Sequence, residues 1–166
     1  MSTKENLEKA FAGESQSNIR YQAFAEQAEA EGFANVAKIF SAAAEAERIH
    51  AKSHLQAMNE TANTANNLRS AIKGESFEYK VMYQEYIEQA RNEAEGRALA
   101  SFKNAMSTEQ VHYSLYISAL EAVDSGKDIM PKKIFVCNLC GNTVLDKPPA
   151  SCPVCGGKKK KFNEIE

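Results

Sequence analysis

The chain has 166 residues and a formal net charge of −2, so its charge gives no reason to expect nucleic acid or an anionic membrane as a partner. No apolar run approaches the ~20 residues that cross a bilayer. The first residues, Met-Ser-Thr-Lys-Glu-Asn-Leu, lack the apolar core of a signal peptide. We therefore expect a cytoplasmic location.

The first predicted helix begins with a capping box, in which Ser2 is followed three residues later by Glu5. Four residues of this helix recur every seven positions and define its core-facing side: Leu7, Glu14, Tyr21 and Ala28. This pattern places the carboxylate of Glu14 on the side that faces the core. Gly32 is expected to end the helix.

The second predicted helix begins near Asn35 and carries an E-x-x-H motif, Glu47 and His50. This spacing puts a carboxylate and an imidazole on one helix face, one turn apart. The face continues an apolar stripe at steps of four and three: Val36, Phe40, Ala43, Glu47, His50 and His54. We expect the stripe to face inward, where a carboxylate needs a cation, a proton or hydrogen bonds. His54 is interpreted as exposed or structural.

A polar segment, residues 59–67, is predicted to connect the second helix to a third that begins near Leu68. The third helix carries Glu75 and Glu78. A break near Glu95-Gly96 separates it from the fourth.

The fourth predicted helix carries a second E-x-x-H motif, Glu109 and His112, and ends around Ser125-Gly126. This motif also follows an apolar stripe: Leu99, Phe102, Met106, Glu109, Tyr113, Tyr116 and Leu120.

The two E-x-x-H motifs belong to an internal repeat of two helical hairpins. Gly13-Glu14-Ser15 recurs as Gly74-Glu75-Ser76, 61 positions later, whereas Glu47 and His50 recur as Glu109 and His112, 62 positions later. Two such hairpins supply the ligands of a carboxylate-bridged dinuclear metal site in a four-helix bundle. The change of offset predicts one extra residue, accommodated as a π-bulge, after Ser76 and before Glu88.

The last 30 residues contain all four cysteines, as two C-x-x-C-G motifs: Cys137, Cys140, Cys152 and Cys155. The segment is too small to bury a core of its own, so a metal ion is expected to hold it together. Each motif predicts a tight turn whose backbone amides can point at sulfur. Four thiolates at this spacing fit either iron or zinc.

Three further segments of the chain are informative: 10–16 (AFAGESQ), 47–52 (ERIHAK) and 74–83 (GESFEYKVMY). Together with the two cysteine motifs, they give the chain a resemblance to the rubrerythrins over nearly its whole length. It implies an all-α ferritin-like four-helix bundle of two repeated hairpins over residues 1–129. A linker over 130–134 and a rubredoxin-like β domain over 135–166 would follow.

The resemblance also implies a role for each site residue. Glu47 and Glu109 would bridge two irons, with Glu14 terminal on the first iron, and Glu75 and His112 terminal on the second. Glu78 and His50 would exchange as ligands of the first iron between the oxidised and reduced states. Tyr21 and Tyr83 would hydrogen-bond the ligand carboxylates. A third iron would occupy the four cysteines, with zinc able to replace it in recombinant material.

The implied activity is reduction of hydrogen peroxide to water in oxidative-stress defence. Electrons would come from NADH through a separate reductase or rubredoxin and would pass through the rubredoxin-like domain. Two alternatives stay open: a ferroxidase or iron-handling protein like the ferritins, and a binding module that holds zinc in its cysteines. Electron transfer along a whole bundle would be slow, so we expect the cysteine site of a neighbouring subunit to serve each dinuclear site.

The connection between the hairpins predicts a homodimer or larger assembly with exchanged hairpins. In a ferritin-like bundle the second and third helices run parallel, so the connection must return about 24 Å along the bundle. Residues 59–66 span at most ~27 Å when fully extended. Exchange of hairpins between two chains would remove this strain.

Overall fold

The computed structural model describes residues 2–130 and 132–166. Pro131, which belongs to the predicted linker, lies outside the described residues. The chain divides into two compact units, Met1–Ala62 and Asn63–Glu166.

The first unit is a helical hairpin of α1 (Thr3–Ala30) and α2 (Ala34–Ala57). The predicted capping box is confirmed: the Glu5 backbone N–H donates to Ser2 Oγ, and the Ser2 backbone N–H donates to the Glu5 carboxylate. Gly32 lies between the helices with φ +85°, a conformation that favours glycine and ends α1.

The buried residues of α2 that face α1 are alanines. They do not belong to the predicted apolar stripe, which includes Glu47. Ala37, Ala44 and Ala51 recur every seven residues along α2 and are all buried. Their small side chains allow α1 to approach closely, and Asn18 Nδ2 of α1 donates to the Ala44 carbonyl at 2.7 Å. The stripe with Glu47 is only partly buried, and its Val36 is 45% exposed.

The second unit begins with α3 (Thr64–Phe77), a π-helical segment (Glu78–Met82) and α4 (Tyr83–Asn92), which form one continuous rod before α5 (Gly96–Asp124). The predicted π-bulge is thus confirmed. The prediction that the third helix begins near Leu68 is wrong by one turn. The Asn63 side chain accepts a hydrogen bond from the Asn66 backbone N–H at 2.9 Å, and this cap starts the helix at Thr64.

Two aromatic clusters confirm that the hairpins are structural repeats. The ring centroids of Tyr21 and Phe40 are 6.4 Å apart in the first hairpin. Those of Tyr83 and Phe102, each 62 positions later, are 6.2 Å apart. In both repeats, therefore, a tyrosine packs against a phenylalanine that lies seven residues, or two helical turns, before the glutamate of the E-x-x-H motif.

The small C-terminal domain contains, within its described part, one antiparallel sheet of order β2-β1-β3. Its strands are β1 (Ile134–Cys137), β2 (Thr143–Leu145) and β3 (Phe162–Ile165). Cys137, Cys152 and Phe162 form its buried centre. The predicted fold class, helical hairpins followed by a small four-cysteine β domain, is confirmed.

Over the described residues, none of the helices combines the length and the apolar character that crossing a membrane requires.

Candidate metal centres

The four predicted cysteines converge at one end of the small domain. Their sulfur atoms all lie within 4.8 Å of one another. The Cys137–Cys155 and Cys140–Cys152 Sγ atoms are each 3.7 Å apart. A tetrahedral ion with metal–sulfur bonds of ~2.3 Å requires sulfur atoms about 3.8 Å apart. The pocket therefore fits a tetrathiolate metal ion without rearrangement.

Backbone amides point at these sulfurs, as the two C-x-x-C-G motifs predict. The Asn142 amide lies against Cys140 Sγ, and the amides of Val154 and Cys155 lie against Cys152 Sγ. Gly141, with φ +80°, permits the first of these turns. Burial alone would raise the pKa of Cys152, but these amides and the neighbouring thiols lower it to about 7. The thiolate is therefore favoured at Cys152 but not at Cys140 or Cys155, because burial raises the pKa of both.

The first carboxylate cluster consists of Glu14, Glu47 and His50. Their ligand atoms lie within 4.8 Å of one another, and His50 Nδ1 is 3.2 Å from Glu47 Oε2. The two carboxyl groups share a hydrogen bond, which raises the pKa of Glu14 and lowers that of Glu47. His50 is open to solvent, with 56% of its side chain exposed.

The second carboxylate cluster consists of Glu75, Glu109 and His112, again within 4.8 Å of one another. His112 Nδ1 is 2.8 Å from Glu109 Oε2, and its ring is less exposed, at 27%. Burial, followed by the hydrogen bond and the negative charge of Glu109 and the charge of Glu78, raises the pKa of Glu75 to about 7. Such a crowded set of carboxylates is stabilised by a proton or a cation.

Both carboxylate clusters have donor spacings suited to a metal ion. Two donors at right angles, each ~2.1 Å from one ion, lie about 3.0 Å apart. The nitrogen–oxygen distances of 3.2 and 2.8 Å bracket this value. Carboxylate and imidazole donors together suit iron, which accepts both.

Two of the remaining predicted site residues, Glu78 and Tyr83, lie beside the second cluster. Glu78 opens the π-helical segment, and burial and the charge of Glu109 raise its pKa. Burial raises the pKa of Tyr83 too, followed by the charges of Glu78 and Glu109, so this phenol lies near both carboxylates. Tyr21 packs against Phe24 and Phe40 in the first hairpin.

Sequence reasoning missed two threonines that join the small domain to α5. Thr108 donates a hydrogen bond to the Cys140 carbonyl at 3.0 Å, and Thr143 Oγ1 lies 3.1 Å from His112 Nε2. Thr108 directly precedes Glu109, but nothing in the local pattern separates it from an ordinary helical threonine. Only the fold shows which hydroxyl meets which partner.

Two family models match the chain. The rubrerythrin model covers residues 5–120, and the model of the rubrerythrin rubredoxin-like domain covers residues 135–163. Rubrerythrin-2 of Clostridium acetobutylicum is 36% identical over 96% of this chain and 95% of its own length. Nigerythrin of Nitratidesulfovibrio vulgaris is 31% identical over 97% of this chain and 85% of its own.

Solved structures of nigerythrin resemble the present one. A partially reduced state and a fully reduced, all-ferrous state each match with a TM-score of 0.59 at 30% identity. Each match covers 99% of this chain and 87% of the solved chain.

Proposed function

The chain belongs to the rubrerythrin family, and from that premise we propose that it reduces hydrogen peroxide to water as part of oxidative-stress defence. The observation that carries this proposal is the presence of two kinds of metal site in one chain. Carboxylate–imidazole clusters suit a dinuclear iron centre, and the tetrathiolate pocket suits a one-electron iron centre. A protein that only stores iron would not need the tetrathiolate centre.

The ligands of the proposed dinuclear centre come from both carboxylate clusters. Glu47 and Glu109 would bridge, Glu14 would complete one iron, and Glu75 with His112 would complete the other. Iron bound there supplies two electrons and Lewis acidity for cleavage of the O–O bond. Hydrogen peroxide, two protons and two electrons then give two molecules of water.

Glu78 and His50 are proposed to exchange as ligands when the oxidation state changes. Within its own unit, His50 is more exposed than His112, the histidine of the other E-x-x-H motif. Glu78 lies in the π-helical segment, which has no counterpart in the first hairpin. Burial, followed by the charge of Glu109, raises the pKa of Glu78, so a released Glu78 carboxyl takes up a proton more readily than an ordinary glutamate. Tyr83, near the same carboxylates, is placed to donate a hydrogen bond to one of them, and we assign Tyr21 the equivalent role in the first hairpin.

The four cysteines are proposed to hold iron that returns electrons to the dinuclear centre one at a time. A separate protein, a reductase or rubredoxin that takes electrons from NADH, would supply them, because the sequence contains no glycine-rich nicotinamide-binding motif.

We further propose that the protein is a homodimer in which the hairpins are exchanged. Between His50 and Ala57 the chain rises about 10 Å, and between Thr64 and Glu75 about 16 Å. A return connection within one chain would therefore have to span about 26 Å, plus a lateral step of ~9 Å between helix axes.

The connecting residues cannot reach that far. The seven steps from Ala57 to Thr64 span at most ~25 Å when extended. They are not extended, because the backbone N–H groups of Asn59 and Glu60 donate back to the Gln56 and Leu55 carbonyls. The observed helix ends therefore strengthen the case for exchange between copies.

Mixed dimers test this exchange. One chain would carry Glu14→Ala with Glu47→Ala, and the other Glu75→Ala with Glu109→Ala. If the hairpins are exchanged, co-purified mixed dimers keep one intact dinuclear site made of both undamaged halves. If each chain builds its own site, every site is damaged, and elemental analysis finds no dinuclear metal.

The activity itself is tested by NADH-driven turnover with a reductase, with peroxide and dioxygen compared as oxidants. We expect peroxide to be consumed much faster, and Glu78→Ala to slow turnover while part of the bound metal remains. The exposed Glu85→Gln variant is the matched control. Oxygen-driven uptake of iron without peroxide consumption would favour a ferroxidase instead.

A further inference from the structure

The small domain contacts α5 through its first cysteine turn. Thr108 of α5 is only 2% exposed, and its hydroxyl donates to the Cys140 carbonyl at 3.0 Å. A Cβ atom placed on Gly141 would lie 3.5 Å from the Thr108 methyl group, so helix and turn are in van der Waals reach. The contact joins a cysteine of the tetrathiolate pocket to the residue directly before Glu109.

A second contact joins the same turn to the imidazole of His112. His112 Nε2 is 3.1 Å from Thr143 Oγ1, and Thr143 Oγ1 is 3.3 Å from the Gly141 carbonyl, to which it donates. His112 Nδ1 faces Glu109. A neutral imidazole that offers Nδ1 to a metal carries its proton on Nε2. Thr143 Oγ1 can accept that proton while its own hydrogen is donated to Gly141.

We propose that Thr108 and Thr143 are positioning residues, which clamp the first cysteine turn onto α5 and fix the ring of His112 with Nδ1 directed at the metal. Thr143 acts through His112, and Thr108 acts through the Cys140 backbone. Outer hydrogen bonds of this kind set the tautomer and orientation of a ligating histidine.

The contacts made by Thr108 and Thr143 also determine which cysteine centre delivers electrons to which carboxylate cluster. This consequence rests on the proposed function. The path from Cys140 through its carbonyl and Thr108 to Glu109 contains one hydrogen bond and otherwise covalent bonds. One electron at a time would pass from the tetrathiolate iron to the iron held by Glu109 and His112 of the same chain. Two such transfers, with two protons from solvent, match one peroxide. This route within the second unit is an alternative to the expected supply of electrons from the cysteine site of a neighbouring subunit.

The test uses full-length protein loaded with zinc, which is diamagnetic, so that nitrogen-15 NMR can observe the histidine rings. In the unmodified chain we expect His112 to carry a slowly exchanging proton on Nε2, because Thr143 accepts it. Thr143→Val should release the His112 ring proton to rapid exchange, and Thr143→Ser should restore its protection. Ser114→Ala, which removes a hydroxyl bonded only to the Gln110 carbonyl of α5, should change nothing.

A second readout is the internal electron transfer in iron-loaded protein. After peroxide is added to reduced protein, oxidation of the tetrathiolate iron should slow about 10–100-fold in Thr143→Val and Thr108→Val, with recovery in the serine variants. The proposal would be overturned if the His112 ring proton exchanged equally slowly in the unmodified chain and in Thr143→Val. It would also be overturned if this proton exchanged rapidly in both. If peroxide oxidises neither centre in the unmodified chain, the proposed function fails, while the ring proton still decides whether Thr143 positions His112.

Discussion

The two E-x-x-H motifs have the same spacing and occupy equivalent positions in a repeat, yet their surroundings differ. His50 Nδ1 lies 3.2 Å from Glu47 Oε2, and the His50 side chain is largely exposed. His112 Nδ1 lies 2.8 Å from Glu109 Oε2, and its Nε2 is also within hydrogen-bond distance of Thr143 Oγ1. Within its own unit, the second motif neighbours the cysteine domain and the π-helical segment that begins at Glu78. The repeated motif thus supplies one histidine that is open within its own hairpin and one whose second ring nitrogen also has a hydrogen-bond partner.

The largest expected effect comes from removal of the metal that holds the cysteine domain. Cys152→Ser should abolish metal binding there, because a structural metal contributes ~10–16 kcal/mol to folding in small domains. We expect the amides of residues 134–165 to exchange rapidly with deuterium while the helical circular dichroism persists. The ring of His112 should then exchange its proton as rapidly as in Thr143→Val.

The control for this experiment is Ser151→Ala, which removes a hydroxyl beside Cys152 that donates to the Gly156 carbonyl at 3.0 Å but leaves all four thiols in place. A protected small domain in Cys152→Ser protein without bound metal would show that the tetrathiolate site is not what holds this domain together.

Removal of the histidines one at a time should sharpen the comparison further. His112→Ala removes a fixed ligand, so we expect its loss of dinuclear metal affinity to exceed the ~10–100-fold typical of outer partners. His50→Ala should bind metal nearly normally in the oxidised state and lose affinity mainly in the reduced state, where His50 is proposed to be a ligand. Metal competition titrations under air and under anaerobic reduction measure both. Equal losses in the two variants would remove the distinction between a mobile and a fixed histidine.

A smaller effect is expected on the stability of the metal-free protein as a function of pH. Glu75 has a pKa of about 7 in the folded chain, against an ordinary value of 4.5. The folded state therefore keeps a proton that the unfolded state releases at lower pH. The stabilisation is fully present below pH 4.5 and is lost as the pH rises towards about 7.

We expect the melting temperature of the metal-free protein to fall across this range, and Glu75→Gln to flatten the dependence. Glu85→Gln, on an exposed face of α4, is the control. A metal-free protein that becomes more stable across the same range, with no effect of Glu75→Gln, would contradict the raised pKa.

The sequence predicted those parts of the molecule that local pattern determines. Glu14, Glu47, Glu75 and Glu109 share a repeat and an apolar stripe, which predicted their part in one dinuclear site. The structure brings them together in pairs, one pair with a histidine in each hairpin. The shift of offset from 61 to 62 correctly placed the π-helical segment after Ser76 and before Glu88. The two C-x-x-C-G motifs likewise define their turns by residue type alone.

Contacts between elements could not be predicted in this way. Thr108 and Thr143 are 35 positions apart, and only the folded chain brings both to the first cysteine turn. The buried alanines of α2 were overlooked because larger apolar residues mark the neighbouring stripe more strongly. α3 begins at Thr64 because the Asn63 side chain caps it, although the polar residues that follow Asn63 favour a loop.

The most direct test of the account is the colour of the reduced, iron-loaded protein after it is mixed with peroxide in the absence of oxygen. Ferric tetrathiolate is red, so oxidation of the cysteine centre is visible. We predict that the colour develops rapidly in the full-length chain and is strongly delayed in Glu109→Ala, which lacks the dinuclear centre. A colourless protein that contains only zinc in its cysteines, or equally fast development in Glu109→Ala, would contradict a relay from the cysteine centre to a peroxide-reducing dinuclear site.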